Sequence, residues 1–163
     1  MIDIFELART SGAVEGQLPL GAERLRASLR LASGAIDFRL QGRMDEFGRP
    51  SVRLSIRGDL PLTCDRCAGP LDLHVEHEST FYFVHDESEL AALPVSADEE
   101  SEPLLGSDRF DVTALVEDEA ILCIPVSPRH DACPVSTDGA QSRRTREVQN
   151  PFAALPDLLR DKR

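Results

Sequence analysis

A chain of 163 residues with 41% hydrophobic content can bury the core of one domain but not of two comfortable ones. Its 29 acidic and 18 basic residues give a formal charge of -11, which repels polyanions at long range and favours a basic partner over stand-alone nucleic-acid binding. No apolar run approaches bilayer length, and the opening MIDIFELART shows no charged, apolar, cleavable leader, so a cytoplasmic protein with no membrane partner is expected.

The first 29 residues carry short apolar islands broken by Gly and Pro, which predicts an extended arm and then a short helix or strand near Leu25 and Leu29. From Ala35 the pattern alternates. Ile36, Phe38 and Leu40 form one run, Val52, Leu54 and Ile56 the next, and MDEFGRP between them reads as a turn. The third run places Leu71, Leu73, Val75, His77, Phe81 and Phe83 on one face, with Asp72, His74, Glu76, Glu78 and Thr80 mostly on the other. These runs predict a twisted antiparallel sheet with one buried face. The odd offset between His74 and His77 sends them to opposite faces, so they do not serve one ion. Arg53 and Arg57 fall together on the polar face, where they are either ordinary solvated residues or part of an RNA-binding patch with Arg24, Arg26, Arg30 and Arg39.

Between the second and third runs lies LTCDRCAGPL. Cys64 and Cys67 can grip one ion if the chain turns tightly, and Gly69-Pro70 supplies backbone freedom followed by a fixed exit. Much later, PRHDAC offers His130 and Cys133 at the same spacing. Together the four would make a closed Cys3His site for one structural zinc. Two other readings stay open: reduced thiols without metal, and a thiol redox pair. A redox dithiol ordinarily opens a helix, whereas a strand follows here.

Residues 86–102 carry seven acidic side chains and no basic one, the signature of a mobile acidic linker, taken to extend over 86–106, or of a decoy surface for a basic protein. A helix follows, N-capped by Asp111, with Val112, Leu115, Val116, Leu122 and Cys123 at helical spacing until Pro125. Cys123 reads as a small buried hydrophobe. Glu117 and Asp118 lie off the stripe, facing water. Glu119 interrupts it, so it must reach the rim, pair internally or meet a partner.

The expected class is α+β: a twisted antiparallel sheet with a C-x-x-C hairpin turn, one or two packed helices and the acidic linker. Residues 1–134 form one domain, 135–149 a polar linker, and 150–163 an amphipathic tail in which Phe152, Leu155, Leu158 and Leu159 align. No nucleophile, base and orienter occur at recognisable spacing and no Gly-rich phosphate loop is present, so neither an enzyme nor a small-molecule substrate is expected.

In this order, LTCDRCAGPL, the alternating strand, the acidic stretch, DVTALVEDEAILCIPVSPRHDAC and NPFAALPDLL resemble the YceD family of large ribosomal RNA subunit accumulation proteins, from about Leu60 onward. The resemblance puts the family's paired cysteines on Cys64 and Cys67, its acidic helix motif on Glu117, Asp118 and Glu119, and its turn on Pro125, Pro128, His130 and Cys133. Cys123 lies outside the pattern. It implies a non-catalytic role in synthesis, processing or stability of large-subunit ribosomal RNA. With the charge, the expected partner is ribosomal RNA or a basic ribosomal or assembly protein, met through Glu117, Asp118 and Glu119.

Overall fold

The computed structural model describes residues 1–31, 33–93 and 101–133. Among them five strands form one sheet: β1 (Ala13–Pro19), β2 (Ala35–Met44), β3 (Pro50–Thr63), β4 (Pro70–Val84) and β5 (Glu102–Leu105), paired in chain order. The first four make an antiparallel meander. β5 joins β4 in parallel, so the sheet is mixed rather than wholly antiparallel.

The period-2 patterns build the inner face directly. Val14 pairs with Leu40, Leu40 with Leu54, and Val52 with Phe81, so apolar rows run across the strands. Ile36, Leu40, Val52, Leu54, Ile56, Leu60 and Leu62 are each at most 2% exposed. Helix α4 (Val112–Leu122) contributes Val112, Leu115, Val116 and Ala120 to the same core. Its N-terminus is capped as expected, with Asp111 Oδ1 accepting from Thr113 N and Ala114 N at 3.0 and 3.2 Å. Leu122, placed on the buried stripe by spacing, is 76% exposed at the last position of the helix.

The N-terminal segment is more ordered than an arm. Helix α1 (Ile4–Arg9) starts at Asp3, whose Oδ1 accepts from Phe5 N and Glu6 N, and it buries Ile4 and Ala8 one turn apart. Six residues are too few for a periodic signal. The helix approaches β2 at Gly42, where a Cβ would lie 2.1 Å from the Leu7 carbonyl oxygen. Helix α2 (Glu23–Arg26) follows β1 and buries Leu25.

The stretch read as acidic linker holds two elements, the exposed helix α3 (Glu87–Ala92), capped by Asp86, and β5. Residues 94–100 lie outside the described residues, as do the polar linker 135–149 and the tail 150–163. Met1–Asp131 is one compact unit. Of the second, Ala132–Arg163, only Ala132 and Cys133 are described.

Candidate metal centre

The β3–β4 hairpin reverses through the C-x-x-C sequence. Cys64 N donates to Gly69 O at 2.9 Å and Ala68 N to Cys64 O at 2.8 Å, with Ala68 in the left-handed region at φ 57°. The turn closes so tightly that a Cβ on Gly69 would approach Cys67 Sγ to 3.3 Å. The PRHDAC segment packs onto this turn: Asp65 N donates to Pro128 O at 2.8 Å, and Ser127 Oγ to Asp65 Oδ2 at 2.8 Å.

His130 is held by a specific bond. Its Nε2 lies 2.9 Å from Pro70 O, and because a carbonyl only accepts, Nε2 carries the proton. Nδ1 is thereby left with its lone pair 3.5 Å from Cys67 Sγ. The ligand atoms of Cys64, Cys67, His130 and Cys133 all lie within 4.8 Å of one another, close enough to hold a metal ion.

Cys64 is fully buried. Burial pushes its pKa up, but the backbone N–H groups of His130, Cys67 and Arg66, with the Cys67 side chain, outweigh it and bring the thiol down to about 5. Donors aimed at a buried sulfur suit a metal-bound thiolate. An exchange thiol must also be accessible, and this one is not. Cys123 belongs elsewhere: it packs partly against the core, and burial together with the Glu119 charge pushes its pKa up.

The structure distributes the three acidic residues of α4 to internal partners. Glu117 is 8% exposed, and its Oε1 accepts from Arg24 N and Leu25 N, both at 2.8 Å, capping α2. It therefore does not face water as its spacing suggested. Asp118 pairs with the Arg24 guanidinium at the surface. Glu119, 7% exposed, accepts a hydrogen bond from Ser79 Oγ and lies 3.5 Å from His77 Nε2. Its neighbours Ser79 and His77 carry no sequence signal beyond being polar residues on the inner face of β4.

Arg53 and Arg57 do share the outer face, but not as free cations. Arg53 pairs with Glu78 at 3.5 Å and Arg57 with Glu76, while Arg39 meets Glu15 on the same face. His74 bonds Asp59 on the outer face, whereas His77 sits on the inner side, so the two diverge as expected.

Residues 52–159 match the family model for Large ribosomal RNA subunit accumulation protein YceD. The protein of that name from Haemophilus influenzae is 32% identical over 108 residues, covering 61% of this chain and 60% of the relative. The chain thus spans less than two thirds of the length of that curated relative. No solved structure matches. The matched region begins in β3 and takes in both cysteines of the hairpin turn, all of α4 and the PRHDAC turn, and on that extent the chain belongs to the YceD family.

Proposed function

We propose that this protein supports the accumulation of large-subunit ribosomal RNA in the cytoplasm as a non-catalytic factor that holds a basic ribosomal or assembly protein. The family match over residues 52–159 carries the reading. The formal charge of -11 supports a basic partner, since complementary charge steers such an encounter. The pairing of Arg53 and Arg57 with glutamates weakens direct RNA contact as the main mode. A non-catalytic role is supported by the polar set that Glu119 of α4 makes with Ser79 and His77 of β4. The Ser79 hydroxyl donates to Glu119, so its oxygen accepts from His77 Nε2 2.9 Å away and the imidazole is no base for it.

Cys64, Cys67, His130 and Cys133 would hold one structural zinc. Tetrahedral zinc with Zn–S of about 2.3 Å and Zn–N of about 2.0 Å spaces sulfur and nitrogen by roughly 3.5 Å, and Cys67 Sγ lies 3.5 Å from His130 Nδ1. The bond to Pro70 O is the outer-shell partner that a ligating histidine ordinarily has. When bound, zinc would close the site with no open position and tie the PRHDAC turn to the hairpin.

The test is complementation of a bacterium lacking its own family member. The wild-type protein should restore the ratio of large- to small-subunit ribosomal RNA, and the purified protein should bind a basic ribosomal protein in a salt-sensitive way. A wild-type protein that leaves the ratio unrestored overturns the role, and full affinity at high salt overturns the mechanism. Protein purified without added metal should hold about one zinc, lost in Cys64→Ser and Cys133→Ser.

A further inference from the structure

Along the stretch Leu73–Ser79 of β4, beside the end of α4, lies a cleft of about 470 Å³. Leu73, Val75, Leu122 and Cys123 give it apolar walls, and Glu119 stands inside it. Glu119 is nine-tenths buried, yet no arginine or lysine among the described residues pairs with it. Its Oε2 takes the Ser79 hydroxyl and neighbours His77, while Oε1 accepts no hydrogen bond from any described residue. A carboxylate drawn this far from water is costly without a cation, and the cost falls when one arrives. Glu76, paired with Arg57, and Glu102 add two exposed carboxylates to the lining, and Leu122, 76% exposed, is an apolar ledge beside them. Cys123 keeps its thiol protonated, so the wall stays uncharged.

We propose that this cleft receives an arginine side chain of the basic partner, with the guanidinium on Glu119 and the aliphatic stem along Leu73 and Leu122. The proposal rests on the reading of a basic partner and gives that partner a seat. Arginine suits the site better than lysine. Its planar fork engages a carboxylate through two parallel bonds, it is less strongly hydrated, and its stem covers apolar surface. Burial of a large ledge residue next to a paired charge is also how interfaces concentrate their affinity.

The experiment measures fluorescence anisotropy of a fluorescein-labelled tetra-arginine peptide against the full chain at low salt. Glu119→Gln keeps the shape and the Ser79 contact but removes the charge. Leu122→Arg blocks the mouth from an exposed position that contributes little to the core. Glu46→Gln, on the exposed β2–β3 loop, removes one charge far from the cleft in sequence and serves as control. Roughly tenfold weaker binding in both cleft variants, with the control unchanged and tetra-lysine weaker than tetra-arginine, supports the proposal. Equal losses in Glu119→Gln and Glu46→Gln overturn it, because the general field alone then holds the peptide, and the basic-partner reading stands. Equal affinity for the lysine peptide overturns the guanidinium assignment. No binding by the wild type overturns the seat and the basic partner together.

Discussion

At the scale of single residues, buried carboxylates hold the small elements in place. Glu117 supplies the acceptor that α2 lacks in its own sequence, where Ala22 at the N-cap offers no side-chain bond. Replacing it with Ala would leave two N–H groups without that acceptor and should cost about 1–3 kcal/mol, read from urea denaturation. Asp45 does similar work in the β2–β3 loop. Its Oδ1 accepts from Phe47 N and Arg49 N at 2.9 and 2.7 Å, and its Oδ2 from Arg49 Nε at 2.6 Å. Burial raises its pKa, but the Arg49 backbone and guanidinium and the Phe47 N–H outweigh that, and the result lies below the ordinary carboxylate value. A folded-state pKa below the unfolded one adds stability above the unfolded value, and this is lost as pH falls through the folded one. The stability gap between wild type and Asp45→Asn should therefore be full at neutral pH and shrink below the usual carboxylate pKa of about 3.8, which urea titrations at pH 7 and pH 3 check.

At the scale of elements, legibility followed length. Strands β2, β3 and β4, of 10, 14 and 15 residues, repeat their alternation enough times to be read, and α4 announces itself through Asp111. Helix α1 has only two buried positions and β5 only four residues, and both depend on what they pack against. The docking of α1 on β2 makes a sharp demand: its Leu7 carbonyl occupies the space of a side chain at position 42. Gly42→Ala should force backbone movement and destabilise by about 1–3 kcal/mol or more, seen as a lower Tm. Gly48 is needed for another reason, since the loop holds it at φ 75°.

At the scale of the whole molecule, the proposed zinc joins two segments that are sixty-odd positions apart, so its removal should act at a distance from the hairpin. A strong chelator should lower Tm, expose the Cys64 thiol and accelerate exchange of the Asp65 amide, whose bond to Pro128 O reports the docked turn. An unchanged Tm and a protected Asp65 amide after metal removal would mean that hydrogen bonds alone hold the turn.

By itself the sequence determined the alternating strands, the hairpin turn at Cys64 and Cys67, the cap of α4 and the two short segments whose ligand types match. These follow from local periodicity and turn chemistry, which neighbouring residues dictate. Only the tertiary structure decided that Glu117 caps a helix 92 residues away, that Arg53 and Arg57 are matched by the glutamates of β4, and that His130 turns its free nitrogen toward Cys67. Each of those outcomes is a pairing across strands or between distant segments, where a charge's partner is set by register and packing and leaves no trace in its own neighbourhood.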